Sequence, residues 1–269
     1  FSFNLIFFIF YKNISSILKV YDYPDGIRKK HSKPVPLIGG LQLLLNIYII
    51  YFLNHYLDIV VKSFQIEYLL FFGSLIFVLG IIDDKFDIKA SLKFLLLLLI
   101  ILLLLNLNKD LVIRSLYFDT FDLNIYLGKY SIFFTLLCFL LFINSCNMFD
   151  GADLQLGVYS FQIFFFFFIN NIYSVFSLLL LIFVFFFILL NRNSQIFLGD
   201  SGSLLVSFVI SYLVISQYNL NLSNLSCELI FIIMLLPGLD MLRLFIVRIY
   251  NKKNPFLPDR KHIHHLLNQ

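Results

Sequence analysis

Charge is scarce in this sequence. Asp, Glu, Lys and Arg make up 13% of its 269 residues, against about a quarter in a soluble domain. With 60% apolar residues and a mean hydropathy of +0.90, that scarcity excludes an ordinary water-soluble globule. Cysteine is scarce too: Cys138, Cys146 and Cys227 are odd in number and without CxxC spacing, so buried free thiols are expected. No positive charge precedes the first apolar run, as a signal peptide would require. The chain opens on Phe1 inside that run and closes on "KHIHHLLNQ", and both ends read as cut in mid-sequence. No internal repeat is evident, and no Ser–His or Cys–His arrangement suggests nucleophilic catalysis.

What the sequence does hold is long apolar stretches. About nine of them, at 1–18, 36–54, 66–82, 92–106, 130–146, 156–170, 172–190, 202–216 and 228–250, approach the ~20 residues that span a bilayer as a helix. An isolated strand in lipid would leave its backbone unpaired, and runs such as "LLLLLIILLLLL" lack the alternation of a barrel strand. The expectation is an all-α polytopic membrane bundle forming one integral membrane domain, 1–269. The segment at 107–129 alternates enough to predict a small hairpin.

Lys and Arg are unevenly shared among the connections. Loops at 19–35, 83–91, 147–155, 191–201 and 251–269 carry most of them, from Lys19 to Lys261. The alternate loops hold only Lys62, Lys109, Arg114 and Lys129. The positive-inside rule puts the first set in the cytoplasm.

Five polar clusters fall in that first set. "DYPDGIRKKHSKPVPLIGG" (22–40) is a turn-rich loop whose Arg28, Lys29, Lys30 and His31 are either ordinary positive-inside charge or a phosphate site. Asp83 and Asp84 end an apolar segment; neighbours on a helix point about 100° apart, so the two cannot serve one ligand alike. "NSCNMFDGADLQLG" (144–157) carries Asn144, Asn147, Asp150 and Asp153, as a capped turn or as a site. "FLGDSGS" (197–203) puts Asp200 between glycines ahead of an apolar helix. Asp200 reads there as an N-cap or metal ligand, Ser201 or Ser203 as caps, and the helix start as an anion site. "PFLPDRKHIHHLL" (255–267) sets His262, His264 and His265 beside Arg260. Without a partner-ligand spacing this suits phosphate and sugar better than zinc. Carboxylates for a hard cation, cations for phosphates and a membrane surface together point to metal-assisted phosphoryl transfer. A transporter is the alternative of another class. Asp240, near Pro237 and Gly238, is the residue that would support it, although Asp240 and Arg243 also read as a helix-end ion pair.

In this order the five clusters resemble the polyprenyl-phosphate N-acetylhexosamine-1-phosphate transferases. The matching motifs are D-x-P…RK-x-H…P-x-P-x-x-GG at Asp22–Gly40, the pair Asp83–Asp84, N-x-x-N…DG at 144–151, FLGD-x-GS at 197–203 and PDR-x-HIHH at 258–265. The resemblance implies transfer of a sugar-1-phosphate from a UDP-N-acetylhexosamine to a polyprenyl (undecaprenyl) phosphate. UMP is released with the help of Mg²⁺ (Mn²⁺ as the substitute cation), on the cytoplasmic face of a bacterial inner membrane. It implies that Asp200, with Asp83, binds the metal and that Asp83 and Asp84 position or deprotonate the carrier phosphate. Asn147, Asp150 and Asp153 would line the nucleotide–metal site, with Asn144 beside them. Arg28, Lys29 and His31 would bind phosphate, and Arg260, His262, His264 and His265 the pyrophosphate and amino sugar. The HIHH form is similar to the hexosamine branch; the phospho-MurNAc-pentapeptide transferases are the alternative branch. One departure is specific: where the family often reads D-G-x-D-G-L, here Asp153 is followed by Leu154. No nucleic-acid partner is expected, and a homodimer is compatible with such a bundle.

Overall fold

The structure, a computed structural model, describes residues 1–24, 33–57, 66–151, 153–220 and 225–250. Nine α-helices stand in these residues: α1 Ser2–Leu18, α2 Gly39–Leu57, α3 Ile66–Phe86, α4 Ala90–Leu107, α5 Ser131–Phe149, α6 Gln155–Ile169, α7 Ser174–Asn191, α8 Gly199–Leu220 and α9 Cys227–Tyr250. Four short strands, β1 Tyr21–Asp22, β2 Val35–Pro36, β3 Ser115–Phe118 and β4 Leu123–Tyr126, pair as two antiparallel ribbons. The protein is an all-α polytopic membrane protein, and its apolar runs are helical because only a helix satisfies its own backbone in lipid.

A helix occupies each of the nine expected spans, yet among the described residues six are long and apolar enough to cross a membrane: α3, α4, α5, α7, α8 and α9. The other three fall short for separate reasons. Helices α1 and α6 have 17 and 15 residues, and α2 is interrupted by Gln42, Asn46, Asn54 and His55. Two of those polar groups are paired across helices. The Asn4 amide donates to Asn46 Oδ1 at 2.7 Å, and Asn46 and Gln42 both donate to Asn4 Oδ1 at 3.0 Å. All three residues are buried, so α1 is joined to α2 by hydrogen bonds where apolar packing alone would give no register.

Two compact units can be distinguished. The first comprises Phe1–Ile88 and Asp150–Val206. In it α6 packs on α7, α2 on α3 and α7, and α1 on α7. The second comprises Lys89–Phe149 and Ser207–Gln269. Here α5 packs on α4 and α9, and α9 on β3. The hairpin expected at 107–129 is present as β3 and β4, with Leu116 opposite Ile125. Tyr218 ties it to α8: its hydroxyl accepts the Tyr117 N–H at 2.8 Å and donates to the Ser115 carbonyl at 2.9 Å. Glu228, in the first turn of α9, accepts the N–H groups of Asp119 and Thr120 at the hairpin tip.

One expectation is corrected in this unit. Asp240 and Arg243 do form an ion pair at 3.0 Å, but in the interior of α9 rather than at a helix end, with Asp240 1% exposed. A carboxylate that deep needs its cation, and one turn away on the same helix is the nearest place for it. The three cysteines are free, as expected, though only Cys146 is fully buried.

Candidate active site

The first unit gathers the acidic residues. Its construction starts at Gly80 in α3. A Cβ there would lie 2.3 Å from the Ser201 Cα and 2.5 Å from its nitrogen, so only glycine lets α3 meet the first turn of α8. Asp84 follows four residues later and therefore projects from the same face of α3. Its carboxylate accepts the backbone N–H of Asp200 through Oδ1 at 2.8 Å and that of Ser201 through Oδ2 at 3.1 Å. Gly199 permits this approach: with φ +70° its missing Cβ would meet Asp84 Oδ2 at 2.8 Å.

The first backbone N–H groups of α8 are thus met by a carboxylate from another helix. Ser203 Oγ donates to the Asp200 carbonyl at 3.4 Å. The first amides of α8 are an anion site, as its sequence suggests, and the anion that occupies it is Asp84. Asp83 points elsewhere, as the helical angle requires. Its Oδ1 accepts the Ile88 N–H at 2.9 Å and closes the end of its own helix, where Asp87 takes the left-handed conformation.

Two further loops meet this helix start. Phe197 donates its N–H to the Pro36 carbonyl and accepts the N–H of Gly39, each at 3.0 Å, and Leu37 bridges Phe197 in parallel. The loop after α5 brings Asp150 and Asp153. Burial, then the charges of Asp200, Asp84 and Asp153, push the Asp150 carboxyl up to about 8. Asp150 therefore lies within electrostatic reach of Asp200, Asp84 and Asp153, and a proton or a cation at Asp150 would relieve that repulsion. Their donor atoms are oxygen only, the set a hard dication prefers. Among the described residues no three His, Cys, Asp or Glu side chains stand together closely enough to hold a metal ion.

Asn144 and Asn147 lie in the last turns of α5 and belong to the second unit. The Asn144 amide donates back to the Leu140 carbonyl at 2.7 Å. Arg28, Lys29, His31, Arg260, His262, His264 and His265 lie outside the described residues. Two residues escaped the sequence reading. Asn191, at the end of α7, is buried and hydrogen-bonded to both acidic loops, and Ser194 donates to Asp153. The only signal for them was their nearness to "FLGD" in sequence.

Comparison with known proteins identifies the family. Residues 66–218, from the first residue of α3 nearly to the end of α8, match the family model of glycosyl transferase family 4. The undecaprenyl-phosphate alpha-N-acetylglucosaminyl 1-phosphate transferase of Salmonella typhi is 28% identical over 99% of this chain and 74% of its own length. The proteins of the same name from Escherichia coli K12 and Yersinia pestis are each 27% identical over the same shares. A match that covers Asp83, Asp84, Asp150, Asp153 and Asp200 in one continuous stretch leaves a single assignment: the chain belongs to glycosyl transferase family 4.

Proposed function

We propose that the protein transfers an N-acetylhexosamine 1-phosphate from a UDP-N-acetylhexosamine to undecaprenyl phosphate. An oxygen of the carrier phosphate attacks the phosphorus that bears the sugar. The bond from that phosphorus to the bridging oxygen breaks, and UMP leaves with the electron pair. The observation that carries this reading is the seating of Asp84 on the first amides of α8, at Asp200, with Asp150 close enough to feel both charges. The relatives' names support undecaprenyl phosphate as the carrier and an N-acetylhexosamine 1-phosphate as the group moved.

Phosphoryl transfer asks little covalent chemistry of a protein and much positioning. A phosphate monoester has a second pKa of about 6, so the carrier phosphate is already mostly dianionic at neutral pH. Orientation matters more than proton removal. Asp84 is occupied with the amides of Asp200 and Ser201, so its part is to fix Asp200 in place. Asp83, whose Oδ1 accepts the Ile88 N–H at the end of the same helix, is the carboxylate we assign to the carrier phosphate. Asp200, Asp150 and Asp153 would hold Mg²⁺ or Mn²⁺, which when bound neutralises charge on the pyrophosphate. Asn144 and Asn147 would serve the nucleotide. Arg28, Lys29, His31, Arg260, His262, His264 and His265 supply the cations and imidazoles suited to phosphate and sugar. The Lys/Arg bias of the loops supports a cytoplasmic orientation in a bacterial inner membrane.

The test is incubation of the detergent-solubilised protein with a panel of UDP-N-acetylhexosamines and undecaprenyl phosphate. UMP and a lipid-linked sugar should appear together for at least one donor. UMP formed without lipid product, or neither with any donor, would overturn the proposal.

A further inference from the structure

Leu154 stands directly after Asp153 and directly before α6, with φ 70° and ψ −16°. A leucine rarely adopts this left-handed conformation, because its Cβ crowds the neighbouring carbonyl oxygen. Something must hold it there. Its N–H donates to Oδ1 of Asn191 at 2.6 Å, while the Nδ2 of the same amide donates to the Ile196 carbonyl at 2.9 Å. Asn191 is 5% exposed, and its bond to Ile196 is buried while the one to Leu154 is partly so. Ser194 Oγ adds a third link by donating to Asp153 Oδ2.

One side chain therefore grips both loops that carry the acidic residues. On the first side the grip is on Leu154, next to Asp153 and four residues from Asp150. On the second, it is on Ile196, from which the chain runs through Phe197, itself held by Pro36 and Gly39, to Asp200. The turn that follows Asn191 is also closed, by Ser194 N–H to the Asn191 carbonyl and Gln195 N–H to the Leu190 carbonyl. The chemistry demands asparagine. One end of the amide accepts and the other donates. Aspartate has no donor for Ile196, and alanine satisfies neither loop.

We infer that Asn191 is a positioning residue. It locks Leu154 in its left-handed conformation and so sets Asp150 and Asp153 in register with Asp200. The inference rests on the reading of these aspartates as the reacting site, and its test separates the two.

The full chain is prepared as Asn191→Ala, Asn191→Asp and the double variant Asn191→Ala/Leu154→Gly, since glycine adopts positive φ at little cost. Hydrogen exchange, which needs no activity, reads the lock itself. Exchange at the Leu154 amide should rise about tenfold or more in Asn191→Ala, with residues 160–167 of α6 unchanged. Turnover reads its consequence. In Asn191→Ala kcat should fall by about 10- to 100-fold with KM for the UDP-sugar little altered. The double variant should recover most of the loss, and Asn191→Asp should not. Unchanged exchange at Leu154 would show that the lock does not exist in solution. Raised exchange with wild-type kcat, or equal losses in single and double variants, would show that it does not position the acidic loop. If wild-type protein transfers no sugar phosphate, the functional reading falls, while the exchange result still decides the lock.

Discussion

Replacing Gly80 by alanine should separate α3 from the start of α8. The added Cβ would lie 2.3 Å from the Ser201 Cα, whereas carbon atoms pack at about 3.5–4.0 Å. Both atoms belong to rigid helices, so α3 must retreat by more than about 1 Å. The Asp84 bonds to Asp200 and Ser201, now 2.8 and 3.1 Å, would then stretch past the useful limit of about 3.5 Å. Bonds to a charged group are each worth about 1.5–3 kcal/mol, and overpacking costs about 1–3 kcal/mol more. The two bonds together set a ceiling of about 6 kcal/mol, lowered by the partial exposure of Asp84. A loss of this size is a large share of a typical stability of about 5–15 kcal/mol. Molecules that stay folded should lose about 100-fold in turnover, since a displacement of about 1 Å at a catalytic group has that effect. Thermal unfolding followed by circular dichroism, with UMP release per folded molecule, measures both. Gly238→Ala is the control, because a Cβ there meets nothing within 4 Å. An alanine at position 80 that left midpoint and turnover at wild-type values would refute the reasoning.

Asp200→Asn keeps shape but removes charge from the acidic group, so UMP release should fall roughly 100-fold or more while the unfolding midpoint holds; activity near wild type at limiting Mg²⁺ would remove Asp200 as a ligand. The raised Asp150 carboxyl, about 8, stays protonated in metal-free protein below that pH, and a dication favours its charged form. Mg²⁺ affinity, titrated calorimetrically from pH 6 to 9, should therefore rise up to about pH 8 with release of about one proton, then level off. The same shift has a stability sign: between the unfolded carboxyl range near 4 and about 8 the native state binds more protons, so metal-free protein should lose stability as pH rises through that window. Tyr218→Phe should lower stability by about 1–3 kcal/mol, because the Tyr117 N–H and Ser115 carbonyl lose their partner. Turnover per folded molecule should stay at the wild-type level, since the hydroxyl serves the hairpin.

The legible parts of this protein are those whose signals are local. Apolar runs such as 92–106 read as helices because lipid allows little else. The alternation within 107–129 read as a hairpin, and the divergence of Asp83 from Asp84 followed from the helical angle alone. What was not legible depends on residues far apart in sequence. Asp84 caps a helix that begins 115 residues later at Gly199, and no pattern near either position announces it. Gly80 reads as an unremarkable small residue until α8 is seen against it. Asn191 reads as a polar residue ending a helix, and Leu154 as a simple departure from a motif, until one is found holding the other. The span count missed in the opposite direction: hydropathy recorded the polar interruptions of α2 but not that Gln42 and Asn46 donate to Asn4.

The central claim is that the sugar moves together with its phosphate. A UDP-N-acetylhexosamine carrying ³²P only in the phosphate attached to the sugar tests it most directly, when turned over with undecaprenyl phosphate. The label should pass into the organic-soluble lipid product in a one-to-one ratio with the sugar, leaving the released UMP unlabelled. Label left in the aqueous phase as UDP, with unlabelled sugar on the lipid, would contradict the account.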